Sequence, residues 1–393
     1  MTTNQKFDQL KTKILILDSG ERVVLIINSR TAIPHLELNR YLFHCRKPVL
    51  AFKTLKKEAD AICRIFNSGH HIFGDWSGYG LIHRVKGRDI FHFWEELKKS
   101  PYKEEVSKDT HMYRWDVFKR IFDYWTDQQI LELSHRDPDF KNLVAKKKIL
   151  LTEISRLKVP SSSKRLVGLD KNVIQELIEV SRVDSPNNPW IQRDRLRNQI
   201  IVDIFIRLGV RAGELLKITL PNVELRGRFG TITIERLIND KDDPRKDEPR
   251  VKTFGRILEL DDDLSKNISK YLRERRLIPN AKKTKYLIVS HSTGTPLSSD
   301  TLGLILRSIP LKSYNKKVTP HSLRRTWNDL FREYSEELGF EQEMITQTQN
   351  YLQGRMLNSK EAYKYSAKFI EKSAREAHLK FQKAILGGSN EKD

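Results

Sequence analysis

A short segment near the C-terminal third of the chain carries side chains whose types and spacing could bind an anion. In TPHSLRRTWNDLF, His321 and Arg324 stand three residues apart, which places them on one face of a helix. Thr319 can act as the N-cap and Pro320 suits the first helical position. Both side chains would then lie near a helix N-terminus, where backbone N–H groups attract anions. The pattern indicates a phosphate site, although a basic surface helix explains it about as well.

Two other segments add residues of the same chemistry. In LGVRAGELL, Arg211 follows the most apolar stretch of the chain, and Glu214 comes three residues later. Because burial of an unpaired guanidinium is costly, Arg211 needs a partner, and Glu214 alone could be that partner. Further on, Arg355 precedes two tyrosines, Tyr363 and Tyr365, whose hydroxyl groups are potential nucleophiles.

The charge of the chain favours a polyanionic partner. Its 393 residues include 72 Lys and Arg against 51 Asp and Glu, a formal net charge of +21. Solubility alone needs far less charge, whereas each cation that reaches a phosphate releases condensed counterions. No run of 18 uncharged apolar residues is present, and the polar start MTTNQKFDQLK is no signal peptide, so we expect no membrane contact.

Cysteine and histidine usage gives no metal site. Cys45 and Cys63 lack C-x-x-C spacing, so neither a disulfide framework nor a zinc site is supported. The pair His70 and His71, and His44 beside Cys45, lack further ligands at matching spacing. A reducing cytosol is the simplest compartment.

The N-terminal half reads as a hairpin followed by helices. Two β-rich runs in KILILDSGERVVLII, at 13–27, flank a turn that contains Gly20. Apolar residues from Leu55 to Phe66 recur at helical spacing. No clear period appears from about 68 to 109, which predicts an irregular, aromatic-rich region. Two further helices are predicted around residues 115–125 and 142–157.

The serine-rich stretch VPSSSKR, at 159–165, marks the predicted main domain boundary. Beyond it the pattern predicts helices at 169–180, with Asp170 as N-cap, and at 194–208, the second being a central core helix. Short β-like runs at 231–234 and 256–260 are separated by a very polar stretch. After 256–260, three aspartates cap a helix that runs to about residue 275, and the last 75 residues or so are helical.

In combination, these segments resemble the tyrosine recombinase (phage integrase) family. G-V-R-A-G-E at 209–214, H-S-L-R-R-T-W at 321–327 and L-Q-G-R at 352–355 follow that family's order. The resemblance extends from about 165 to 385, whereas the N-terminal half matches only in outline. In this family a C-terminal helix such as the one predicted at 368–386 often docks on a neighbouring protomer, although packing on its own domain would equally bury its apolar side.

The resemblance implies a catalytic set of six residues: Arg211, Lys252, His321, Arg324, Arg355 and Tyr365. Arg211 and Arg324 would clamp the two non-bridging oxygens of one DNA phosphodiester. His321 would hydrogen-bond that phosphate or assist proton transfer. Tyr365 would attack phosphorus to form a 3′-phosphotyrosyl bond, and Lys252 would protonate the leaving 5′-oxygen. No cofactor or metal is implied.

Three assignments stay open. Tyr363 is the alternative nucleophile, since it lies nine residues after Gly354 and Tyr365 lies ten after Arg355. Lys241 and Lys246 occupy the same polar stretch as Lys252. Arg355 stands where the family has His or Trp, so it could contact the phosphate or only the DNA backbone.

The expected fold class is α+β and mostly helical, with a helical, SAM-like core-binding domain and a tyrosine-recombinase catalytic domain that contains a small antiparallel sheet. We expect an N-terminal β-hairpin segment at 1–34, a helical DNA-binding domain at 35–160 with an insertion near 68–110, and a catalytic domain at 165–393. The expected function is site-specific DNA strand exchange. A non-catalytic DNA-binding protein on the same scaffold and a relaxing enzyme similar to type IB topoisomerases are the alternatives.

The expected partner is double-stranded DNA, bound by a homotetramer, with sister recombinases or accessory proteins as additional partners that the sequence leaves open. No membrane partner is expected. The expected location is the cytoplasm, in association with the nucleoid.

Overall fold

The structure, a computed structural model, describes residues 9–73, 81–100, 104–158, 167–226, 229–251, 253–355 and 367–385, with only the backbone of 81 and 367–373. The chain divides into two compact units. One comprises residues 1–17 and 21–164, and the other comprises residues 18–20 and 165–393. Among the described residues, no helix combines the length and apolarity that crossing a membrane requires.

The N-terminal unit consists of a hairpin and helices. Its elements are β1 (Leu10–Ile16), β2 (Arg22–Asn28), α1 (Leu36–Arg40), a π-helical turn (Tyr41–Arg46), α2 (Phe52–Phe73), α3 (Leu81–Arg84), α4 (Gly87–Lys98), α5 (Lys108–Leu131) and α6 (Pro138–Arg156). The two strands pair antiparallel, with Leu10 opposite Asn28, and both pack on α2. The hairpin and the helices around 55–66, 115–125 and 142–157 are as the sequence predicts.

The expectation of an irregular region from 68 to 109 is wrong for the part that the structure describes. There, α2 continues to Phe73, and α4 buries Ile90, Phe93, Trp94 and Leu97. These four residues lie on one helical face. Phe91, which is 54% exposed, interrupts the apolar period and conceals the helix in the sequence.

The C-terminal unit surrounds a buried central helix. Its elements are α7 (Lys171–Ser181), α8 (Gln192–Leu208), α9 (Ala212–Lys217), β3 (Val223–Glu224), β4 (Gly230–Ile234), β5 (Arg256–Leu260), α10 (Asp262–Arg275), α11 (Ser299–Arg307), α12 (Pro320–Glu337), α13 (Gln342–Leu352) and α14 (Ala367–Ala384). Every residue of α8 from Ile200 to Leu208 is buried, which confirms the predicted core helix. Asp261 caps α10 by accepting from the Leu264 N–H at 2.9 Å.

A three-stranded antiparallel sheet in the order β3-β4-β5 lies in the same unit, with Gly230 opposite Leu260. Only β4 and β5 are predicted, because two residues of β3 are too few to show a period. Helix α14 packs on α8, α12, α13 and β5 of its own unit, where Ala374, Ala377 and Phe381 enter the core. The mainly helical α+β fold class is confirmed.

Candidate active site

The turn between α8 and α9 places Arg211. Gly209 ends α8 in the left-handed conformation, with φ of 61°, and a Cβ there would overlap the indole of Trp327 on α12. Arg211 is the N-cap of α9, and its N–H donates to Glu214 Oε2 at 2.8 Å. Its Nη1 donates to the Gln353 carbonyl at 3.1 Å and lies 3.4 Å from Glu214 Oε1. The side chain remains 31% exposed, so part of the guanidinium is accessible.

Helix α12 places Arg324. Thr319 caps this helix as predicted, since its hydroxyl accepts from the Ser322 N–H at 3.1 Å. Arg324 is buried, and its Nη1 donates to the Gly209 carbonyl at 2.6 Å. Its Nη2 donates to Gln353 Oε1 at 2.8 Å and to the Gln353 carbonyl at 3.3 Å. Arg324 therefore shares one backbone acceptor with the guanidinium of Arg211.

A buried carboxylate lies behind this pair. Glu214 Oε2 accepts from Arg256 Nη2 at 3.0 Å and lies 3.9 Å from Arg324 Nη1. Glu214 Oε1 accepts from the Thr253 hydroxyl. Burial alone would raise the pKa of the Glu214 carboxyl, whereas the charge and hydrogen bonds of Arg256 lower it. With further hydrogen bonds from Thr253 and the Arg211 N–H, they hold that pKa below its usual range. Glu214 is thus held as an anion by several partners, of which Arg211 is one.

Positive charge exceeds negative charge in this cluster. Burial, the largest cause, and the charges of Arg211, Arg256 and Arg355 lower the pKa of Arg324 to about 9, against the opposing charge of Glu214. The pKa of Arg355 is also lowered, by burial and by the charge of Arg211. An anion bound among these cations would relieve their mutual repulsion.

Gln353 and Gly354, which follow α13, hold the cation cluster in place. Gln353 is fully buried, and its side-chain amide donates to Asn328 Oδ1 on α12. Gly354 then adopts φ of 59°, and a Cβ there would meet Arg256 and the Phe254 carbonyl at 2.7 and 2.8 Å. Arg355 follows directly, with its N–H donating to the Asn350 carbonyl at 2.9 Å.

The structure brings Arg211, Arg324 and Arg355 into one cluster. His321 is exposed on the first turn of α12, and within the described residues its side chain makes no recorded hydrogen bond. Lys252, Tyr363 and Tyr365 lie outside the described residues. Their expected roles therefore stay predictions.

Three residues of this cluster were not singled out from the sequence as site residues: Thr253, Arg256 and Gln353. Arg256 had a signal, because it alternates with Leu258 and Leu260 on the buried face of β5. A cation in that register needs a buried partner. Gln353 had no comparable signal, because the group that both arginines share is its main-chain carbonyl, which every residue type carries.

Comparison with known proteins adds to this geometry. Residues 168–337 match the model of the phage integrase family. The tyrosine recombinase XerD of Listeria innocua serovar 6a is 26% identical over 223 residues, which are 54% of this chain. The match spans 66% of that relative, slightly less than two thirds of its length.

A similar fold occurs in the crystal structure of the XerH site-specific recombinase bound to its difH substrate in a pre-cleavage complex. The two chains share a TM-score of 0.50 and 16% identity, over 82% of this chain and 79% of the other.

Proposed function

We propose that the chain, whose residues 168–337 match the phage integrase family model, is a site-specific DNA recombinase of that family. The proposed reaction is cleavage and rejoining of DNA strands through a 3′-phosphotyrosyl intermediate. The observation that carries the proposal is the convergence of Arg211 and Arg324 on the Gln353 carbonyl, in a cluster with excess positive charge.

The paired arginines suit a phosphodiester in particular. A guanidinium presents planar donors that match two phosphate oxygens, and its charge persists at neutral pH. Burial of Arg324 fixes its orientation, while the partial exposure of Arg211 leaves donors accessible. Such preorganised cations would stabilise the charge that develops on a pentacoordinate phosphorus.

The proposed cleavage step exchanges the P–O5′ bond of DNA for a bond between phosphorus and a tyrosine oxygen. The Tyr365 hydroxyl attacks phosphorus, a tyrosyl O–P bond forms, and the P–O5′ bond breaks. Lys252 donates a proton to the leaving 5′-oxygen, and the proton of the tyrosine hydroxyl passes to solvent, either directly or by way of His321, which otherwise hydrogen-bonds the phosphate. The phosphotyrosyl bond conserves the energy of the phosphodiester, so the reverse attack by a 5′-hydroxyl rejoins the strand without ATP.

The proposed partner is double-stranded DNA, with the net charge of +21 supplying contacts to the phosphate backbone. Exchange between two duplexes needs four active sites, so we propose a homotetramer on DNA, with sister recombinases or accessory proteins as further partners. The proposed location is the nucleoid in the cytoplasm.

Trapping of the covalent intermediate tests the proposal. Duplexes that bind the double variant Tyr363→Phe/Tyr365→Phe are selected from a random pool, and the selected site is rebuilt with a nick beside the expected cleavage position. Wild-type protein should form an adduct with this duplex that survives SDS, and Tyr365→Phe should abolish it.

The two tyrosines serve as matched controls for each other. An adduct that persists in Tyr365→Phe and disappears in Tyr363→Phe would reassign the nucleophile. Absence of any wild-type adduct on the selected site would favour the non-catalytic alternative. Plasmid relaxation without site preference would favour the topoisomerase-like one.

A further inference from the structure

The very polar segment between β4 and β5 carries several ionisable side chains that are buried although most of the segment is exposed. It folds against the C-terminal end of α9 through a set of ionisable side chains, three cationic and three anionic. We call this set the β4–β5 network: Lys217, Asp240, Asp243, Arg245, Glu248 and Lys285.

Lys217, the last residue of α9, lies at its centre with a side chain 1% exposed. Its Nζ is 2.5 Å from Glu248 Oε1, 3.2 Å from Asp243 Oδ2 and 3.9 Å from Asp240 Oδ2. One lysine thus contacts three carboxylates that lie at different points of the same segment.

Arg245 attaches the segment a second time. Its Nε and Nη2 donate to the two carboxylate oxygens of Asp243, each at 2.8 Å. Its Nη1 donates to the carbonyls of Leu216 at 3.1 Å and of Leu297 at 2.9 Å. Arg245 and Lys217 therefore hold Asp243 from both sides, beside the end of α9.

The same segment then runs along α9 toward Arg211. A Cβ at Gly213 would overlap the Arg250 carbonyl, so backbone meets backbone at this point. Val251 is 4% exposed, and the Thr253 hydroxyl donates to Glu214. On either side of position 252 the chain thus contacts α9, whose N-cap is Arg211, through the Arg250 carbonyl and the Thr253 hydroxyl.

Stability alone is a weak reason for such a network. Desolvation of six charged groups is costly, and well-packed apolar residues often replace a buried ion pair without loss of stability. Directional hydrogen bonds do fix the position of a backbone. In this network they fix the backbone that leads to position 252.

We propose that Lys217 is a positioning residue for Lys252. The β4–β5 network fixes the chain around position 252 relative to Arg211, and so holds the proton donor in place relative to the arginines that bind the phosphate. The inference rests on the proposed function, because it needs Lys252 to protonate the leaving oxygen.

A substrate that needs no proton donor tests it. In a duplex whose scissile 5′-oxygen is replaced by sulfur, the leaving thiol has a pKa of about 8.5, far below that of an oxygen leaving group, so it departs without a proton donor. On the oxygen substrate, Lys217→Met should lower the single-turnover cleavage rate about 10- to 100-fold, the effect of a misplaced catalytic group. On the sulfur substrate the rate should fall at most about 3-fold, as should that of Lys252→Ala.

The double variant Lys217→Met/Glu248→Gln removes one charge of each sign and gives the same readout if the single variant does not fold. The matched control is Lys171→Met, which removes a lysine of the same unit that lies outside the network, contacts Glu333 at 2.7 Å and is 59% exposed. This control should cleave both substrates at the wild-type rate.

Equal defects of the Lys217 variants on both substrates, or no defect on either, would overturn the positioning role. Failure of the sulfur substrate to restore Lys252→Ala would overturn the role of Lys252 and the inference with it. Absence of a wild-type adduct on either substrate would instead reject the proposed function itself.

Discussion

Replacement of Glu214 by Gln is expected to destabilise the C-terminal unit strongly although the two side chains have the same shape. The Glu214 side chain has no exposed surface, and Arg256, whose Nη2 lies 3.0 Å away, is 1% exposed. In the variant, the side-chain oxygen that faces Arg256 is neutral. The amide N–H of Gln also points toward groups that donate to the carboxylate in the wild type. The substitution therefore leaves a buried guanidinium without a counter-charge.

The magnitude follows from this geometry. Removal of one partner of a buried pair typically costs about 3–5 kcal/mol. Arg256 keeps its bond to the Leu352 carbonyl at 2.5 Å, so we expect the lower end, about 3 kcal/mol. For a unit of this size that corresponds to a fall in Tm of about 6–12 °C.

The effect should depend on pH with a definite sign. The pKa of Glu214 is lowered in the folded protein, so its carboxylate contributes stability that is complete well above the unfolded value of about 4.3. That contribution is lost as the pH falls from there through the folded pKa. The difference in unfolding free energy between wild type and Glu214→Gln should therefore be constant near neutral pH and shrink below about pH 4.3.

Urea denaturation at several pH values, monitored by tryptophan fluorescence, measures this difference. The matched control is Glu259→Gln in the same unit, where the carboxyl lies 3.7 Å from Arg375 and burial raises its pKa. Neutralising Glu259 should cost less than about 1 kcal/mol. A loss for Glu214→Gln no larger than that of the control, or one that stays constant down to pH 3, would refute the reasoning.

Three further outcomes are expected. Gly209→Ala should lower the unfolding free energy by about 2 kcal/mol in urea denaturation, because φ is 61° there and the new Cβ would overlap the Trp327 ring. Burial lowers the pKa of His378 to about 4, so stability should fall by about 3 kcal/mol as the pH drops from about 6.5 to about 4, and His378→Gln should flatten that dependence. Arg324→Lys should reduce single-turnover DNA cleavage at least about 100-fold with a smaller change in DNA affinity, because an ammonium cannot keep the bonds to both Gly209 and Gln353.

The sequence predicts the elements well where local signals agree. The apolar run of α8, the Asp261 cap of α10 and the Thr319 cap of α12 each depend on residues within a few positions of one another. In α4 the signal fails because exposed Phe91 adds an apolar residue on the wrong face. Local patterns thus locate helices but do not distinguish buried from exposed aromatic residues.

The cluster is harder to predict because its contacts join distant parts of the chain. Glu214 and Arg256 lie 42 positions apart, and the carbonyl that accepts from Arg211 lies 142 positions away. Arg211, Arg324 and Arg355 were assigned through their order in a known family, and no spacing rule gives their pairing. The domain boundaries and the roles of Lys252, His321 and Tyr365 stay predictions.

The shared acceptor of Arg211 and Arg324 has a consequence for how the chain tolerates substitution. A main-chain oxygen is present whatever residue occupies position 353, so a small uncharged replacement there keeps the Arg211 contact and loses only the side-chain bonds to Arg324 and Asn328. Gly354 has no such freedom, since any Cβ there would overlap Arg256, Thr253 and the Phe254 carbonyl. A saturation library across 353 and 354 should therefore yield active variants with small uncharged residues at the first position and almost none at the second.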